Sequence, residues 1–287
     1  MLSNSNEPVY QGRKLGSWLR GHPREYYPAV LATGTNALPY LLAEIQATDS
    51  SLSEWGQGML GKASIGPPWR TARERRYHAR LGLQILDTNS SAVLLQQIFA
   101  TPMRIAENDP GCAAASSLSF MSSAAAQVQI VTRIEQAFQS PDSVERRNAC
   151  LTVWFWPRTN FAQSLPKLTE DTNATVRVAA VIAMLFSKWD TNFLPALVAR
   201  LDDNEAAVRR FAAEALGHQT TNALSALPAL LAAHAAETSR PNARSDLGLG
   251  YLNESAYSTQ GVRAVMESSI RSIGTNGRFG RAMPGPR

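Results

Sequence analysis

The residues with chemistry to offer are four histidines, two cysteines, and recurring arginines and tryptophans. The histidines are followed by Pro, Ala, Gln and Ala (His22, His78, His218 and His234), so neither a His-Glu pair nor an HExxH helix exists to hold a metal ion. The sequence also lacks a CxxC pair, a GxSxG elbow and a phosphate-cradling glycine loop. Cys112 and Cys150 sit in apolar helical stretches without an adjacent base. They read as buried free thiols from a reducing compartment, not as disulfide partners or nucleophiles. The expectation is a non-enzymatic protein with no catalytic residue, no cofactor and no metal.

Arginine recurs at one kind of place, the entrance to a helix: Arg146, Arg147, Arg177, Arg209, Arg210 and Arg263. Such a series is either an anion-binding stripe or a set of internally satisfied side chains. Asp171 stands six residues before Arg177, and Asp203 six before Arg209, so these pairs are expected to satisfy each other. Arg147 and Arg210, one step further round the helix, then face a partner. A second cluster, Lys62, Arg70, Arg73, Arg75, Arg76 and Arg80, is opposed only by Glu74. It reads as a solvated helix start, or as a dock for phosphates or an acidic partner. Seven of the 22 aromatic residues crowd into residues 154–193. Consecutive helical residues point about 100° apart, so at least one ring of Trp154-Phe155-Trp156 is expected to face solvent or a partner.

These residues ride on a helix that the chain repeats. NATVRVAAVIAML (173–185) is echoed by EAAVRRFAAEALG (205–217), each with Val-Arg ahead of small residues spaced three apart. Further copies occur at 26–34, 75–83, 110–120, 145–155 and 261–270, and the five central anchors are separated by 35, 35, 31 and 32 residues. Between them runs a second element, LPYLLAEI (38–45), LPKLTED (165–171), LPALVARLDD (194–203) and LPALLAAHA (227–235), with AVLLQQIF and VQIVTRIEQAF filling the same slot. Proline is tolerated in a first helical turn, where its missing N–H would have no partner anyway. Each unit is thus a pair of antiparallel helices, and the units must stack to bury their apolar faces.

Proline early in the first helix, aspartate in the turn and Val-Arg entering the second helix resemble the HEAT-repeat family, best over 159–217. The resemblance implies an all-α fold: a right-handed α-solenoid of about six helical hairpins whose second helices line the inner face. It also implies a protein–protein interaction scaffold, since such arrays are seldom enzymes. Deoxyhypusine hydroxylase, an exception in the family, binds iron through His-Glu dipeptides that are missing here. The HEAT-like alkylpurine DNA glycosylases give the alternative reading, with Trp154, Trp156 and Trp189 in a DNA groove and Asp190 as the carboxylate. The opening EPVYQGRKLGSWL is similar to a set of bacterial HEAT-repeat proteins of unknown role, which often carry a membrane anchor just upstream. An anchor in a longer native N-terminus would change the expected cytoplasmic location.

The expected domain covers 1–273, with loop-like insertions near 48–70 and 237–256 and a disordered tail at 274–287. Nothing after Gly274 reads as a polar cap, so a longer chain or another surface is expected to cover that end. The formal charge of +5 divides into +4 over 1–80, −3 over 81–239 and +4 over 240–287, which argues against a continuous basic groove for nucleic acid. No stretch approaches the roughly 18 apolar residues of a membrane span. On the second helices, positions 210, 214 and 217–218, and their counterparts one and two repeats earlier, are expected to face the concavity. Arg147, Leu151, Trp154, Phe155, Val178, Ile182, Phe186, Arg210 and Glu214 are therefore the expected partner-binding residues, an apolar strip rimmed by charge and suited to a peptide or amphipathic helix of a protein partner.

Overall fold

The computed structural model describes residues 7–62, 71–106, 109–156, 161–240 and 258–274. The chain divides into two compact units, Met1–Arg133 and Ile134–Arg287. In each, helices that follow one another in sequence pack against one another, the arrangement of an all-α solenoid.

The first unit opens with a two-stranded hairpin, β1 (Val9–Tyr10) and β2 (Arg13–Lys14). Its turn residues Gln11 and Gly12 both have positive φ, as a two-residue hairpin requires. A short helix α1 (Leu15–Trp18) follows, then α2 (Pro23–Thr33), α3 (Leu38–Ile45), α4 (Ser51–Lys62), α5 (Ala72–Leu86), α6 (Thr88–Ala100) and α7 (Pro110–Ser117). Helix α8 (Ala124–Phe138) enters the second unit at Ile134. The stretch expected as a loop near 48–70 therefore contains a helix. Asp49 explains its anchoring, because its carboxylate accepts both the Ser53 hydroxyl and the Ala72 backbone N–H that opens α5.

The second unit holds α9 (Ser143–Phe155), α10 (Leu165–Leu168), α11 (Ala174–Phe186), α12 (Phe193–Arg200), α13 (Ala206–His218), α14 (Leu227–Glu237) and α15 (Thr259–Gly274). Every repeat copy read from the sequence falls on a helix. Helices α10, α12 and α14 pair with α11, α13 and α15, and the second helices α9, α11, α13 and α15 pack in that order. Side chains at the caps start these helices: Asp142 accepts from Val144 N–H at 2.9 Å, and Asn173 from Thr175 N–H at 2.9 Å. Ala149, Ala179, Ala180, Ala183, Ala212, Ala213 and Ala215 are all buried, and such small residues let helix axes approach closely.

The last helix buries Val262, Met266, Ser269 and Ile273 and exposes Gln260, Glu267, Ser268 and Arg271. Most of the 237–256 insertion and residues 275–287 of the proposed tail lie outside the described residues.

Helices α13 and α15 approach closely at Gly217, whose carbonyl accepts from Ser272 Oγ at 3.0 Å. A Cβ on Gly217 would stand 2.7 Å from Ser269 Cβ and 2.9 Å from its backbone Cα. Gly217→Ala is therefore expected to destabilise the protein by about 1–3 kcal/mol, overpacking outweighing the gain in helix propensity. Urea midpoints read this directly, with Gly274→Ala, where nothing lies within 4 Å, as the neutral control.

Candidate functional site

The arginines of the second helices resolve first. Arg146 donates two hydrogen bonds to the Asp171 carboxylate, at 2.7 and 3.0 Å, and its remaining fork reaches the Ser140 and Pro141 carbonyls. Arg177 does the same with Asp203, at 2.9 and 2.8 Å, and with the Asp171 and Thr172 carbonyls. Arg209 repeats it with Glu237, at 2.7 Å twice, and with the Asp203 and Asn204 carbonyls. A ladder exists, but its register corrects the sequence reading. Arg177 and Arg209 take only a backbone carbonyl from the aspartate six residues before them, as Arg146 does from Ser140; each carboxylate comes from the following repeat. The guanidinium fork matches a carboxylate in this two-bond geometry, which a lysine cannot reproduce.

The ladder carboxylates also organise the next helix. Asp171 Oδ1 accepts the Asn173 N–H and Asp203 Oδ1 the Glu205 N–H, both at 2.9 Å. Burial, the largest single influence on Asp171, pushes its pKa up; the Arg146 hydrogen bonds, the Asn173 N–H and the charges of Arg146 and Arg177 together outweigh it and hold the carboxyl below its usual value.

The first unit uses its basic cluster in the same internal way. Arg75 grips Glu44 at 3.0 and 2.7 Å, Arg76 donates to the Ala47 carbonyl at 2.7 Å, and Arg80 to Ser116 Oγ at 2.8 Å. Thr71 and Glu74 form a capping box at the start of α5. The cluster is thus neither a plain solvated start nor an open phosphate dock, because three of its arginines tie α5 to its neighbours; the Arg70 side chain and that of Lys62 lie outside the described residues.

The proposed apolar strip is largely closed. Leu151 and Val178 are fully buried, and Ile182, Arg147 and Trp154 nearly so. The alanine-lined spacing of α9, α11 and α13 brings neighbouring helices over those positions. Phe155, Phe186, Arg210 and Glu214 remain half-buried. Trp154 stacks on Phe155 at 5.0 Å and on Phe186 at 5.1 Å, joining the ends of α9 and α11 in one row of rings. Arg210 lies 3.6 Å from Glu214 and over the Phe211 ring. Of the three consecutive rings only Phe155 is partly open. Trp156 escapes the helical rotation because the chain has left the helix there, and its ring turns inward.

Other chemistry is similarly committed. Cys112 and Cys150 are free and buried, and burial pushes the Cys150 thiol well up, so it is no nucleophile at neutral pH. Asp190 Oδ1 accepts the Asn192 N–H at 2.9 Å within its own turn, and Trp189 packs edge-on to Phe193. With Trp154 and Trp156 buried, two of the three tryptophans of a glycosylase-like groove are unavailable to a base. Among the described residues no group of three or more His, Cys, Asp or Glu side chains could hold a metal ion, and no helix is long and apolar enough to cross a membrane.

The comparison with known families agrees with the ladder geometry. Residues 193–218, which are α12, its turn and α13, match the HEAT repeat. That segment is a HEAT repeat. None of the curated proteins compared matches it. HEAT repeats commonly mediate protein–protein interaction and are generally non-catalytic. What sequence reading missed was the forward register of the ladder and the role of Arg146. The recurrence of an acid 25, 26 and 28 residues after Arg146, Arg177 and Arg209 was the available signal.

The Arg209–Glu237 rung is the most enclosed, with side chains 3% and 1% exposed. Glu237→Gln leaves a guanidinium buried without its counter-charge and is expected to cost about 3–5 kcal/mol in a chemical melt. Asp171 supplies the pH test. A carboxylate held below its unfolded pKa contributes stability above the unfolded value, near about 4, and loses it as pH falls through the folded one. Asp171→Asn is expected to lower stability at pH 7 and to flatten the acid limb of a stability-against-pH curve.

Proposed function

We propose that this protein is a non-enzymatic scaffold that binds a peptide or helix of a partner protein at the ends of α9 and α11. The observation that carries the reading is the row Phe155–Trp154–Phe186, whose outer rings stay half-buried at neighbouring helix ends. Stacked rings of this kind are rigid, so an apolar partner side chain loses little entropy in the protein on docking. Leu151, Val178, Ile182 and Arg147 are buried on the same two helices and offer no open surface of their own. Arg210 and Glu214 supply the charged border, a donor and an acceptor suited to the polar side of an amphipathic segment. In this reading residues 1–273 work as one scaffold domain in the cytoplasm, where free thiols such as Cys112 and Cys150 stay reduced.

Photo-crosslinking in cells places the partner. A benzoyl-phenylalanine at position 186 or 155 is expected to give a discrete covalent adduct with one protein, and the same group at Gln136 or Lys167 to give none. Adducts only from the control positions would refute the placement. Phe186→Ala is expected to weaken binding of the captured partner by about 1–3 kcal/mol, readable by calorimetry.

A further inference from the structure

The places on the second helices expected to face a partner are closed in the second unit, at Arg147, Leu151, Val178 and Ile182. In the first unit they are open. Placing the buried Ala29 and Ala79 on the buried Ala149 and Ala212 sets Tyr27 and Tyr77 against Arg147 and Arg210, and Leu31 and Leu81 against Leu151 and Glu214. Tyr27, Leu31 and Tyr77 are 52%, 51% and 53% exposed, and Leu81 is half-buried. Large apolar side chains scattered singly over a surface need no explanation, but these recur in one register on two helices.

An arginine precedes each pair. Arg24 stands three residues before Tyr27 on α2, and Arg73 four before Tyr77 on α5, spacings that keep Arg, Tyr and Leu on one side of a helix. Both arginines are exposed, and neither guanidinium makes a hydrogen bond or ion pair among the described residues. Neighbouring charge is engaged elsewhere: Arg75 by Glu44, Arg80 by Ser116 Oγ, and Glu74 by the Thr71 N–H. Glu25 lies about 100° round α2 from Arg24. The two stripes adjoin, because α2 packs on α5. Burial raises the Tyr26 pKa, and the nearby Tyr77 hydroxyl raises it further.

The charge of this face sets what covers it. Arg24 and Arg73 lie in the first turns of α2 and α5, where the helix N-terminus is already positive. A cation there is unfavourable to the helix, so the charge of neither arginine serves the fold. Leu31 and Leu81 lie seven and eight residues on, about 10–12 Å along the axis. One end therefore takes negative charge and the other an apolar side chain.

We propose that this face of α2 and α5 docks a segment of a partner protein that carries an acidic residue about 10 Å from a large apolar one. The acid meets Arg24 and Arg73, and the apolar side chain meets the Tyr27 and Tyr77 rings and the leucines beyond them. The site is separate from the aromatic row on α9 and α11 and needs nothing from it.

The test selects a phage-displayed library of random short peptides on the full chain, with counter-selection against the Tyr27→Ser, Tyr77→Ser double variant. Enriched peptides are synthesised and titrated by calorimetry. Expected are sequences that pair Asp or Glu with a large apolar residue, and loss of binding when the acids are replaced by their amides. Arg24→Glu and Arg73→Glu are each expected to weaken binding about tenfold, and Phe186→Ala to leave it unchanged. The arginine side chains are exposed and unpaired, so their variants replace the tyrosine variant in the counter-selection if that one fails to fold by circular dichroism. No enrichment over the counter-selected variant, enriched peptides without acids, equal binding of the amide peptides, loss of binding in Phe186→Ala, or displacement by equimolar single-stranded DNA would each overturn the proposal.

Discussion

The second unit depends on one interaction, a guanidinium fork on a carboxylate contributed by the next repeat. Bringing these ions out of water is costly, and the cost is met because each partner is fully used. The arginine gives two bonds forward to the carboxylate and one or two back to the carbonyls of its own turn. The carboxylate takes the fork and, at Asp171 and Asp203, the backbone N–H at a helix start. A rung therefore fixes a turn, a helix entrance and the spacing of two repeats together. Loss of either ion disturbs all three.

That constraint explains the composition of the second helices. Rungs hold neighbouring helices at a fixed, short separation, so the residues between them must be small. Alanines fill α11 and α13, and glycine is required at position 217, where the backbone of α15 passes. Apart from Phe211 within α13, the large rings of these helices lie at their ends. Trp154, Phe155 and Phe186 collect there, stacked on one another, and the half-open rings of that group are a consequence of the tight packing elsewhere.

The same geometry separates basic residues that look alike in sequence. Arg75, Arg146, Arg177 and Arg209 are each the fourth residue of their helices and grip a carboxylate. Arg210, one position on, meets Glu214 on its own helix instead. The regular positions of the series are thus satisfied internally.

The sequence by itself determined the helices and their pairing. Val-Arg ahead of small residues, and Leu-Pro ahead of leucines, are local patterns, and local patterns decide local structure. The absence of ligand spacings was equally legible. Three things were decided only by tertiary structure. One was the partner of each arginine, because an acid six residues back and an acid about 26 residues ahead are both compatible with the sequence, and only stacking shows which is within reach. Another was the burial of Leu151, Val178 and Ile182. A helical wheel gives the direction of a side chain but not the distance to the next helix, and that distance was set by alanines on other segments. The last was α4, whose Ser- and Gly-rich sequence favours a loop but whose N-terminal end is tied through Asp49 to the start of α5, contacts that no local propensity contains.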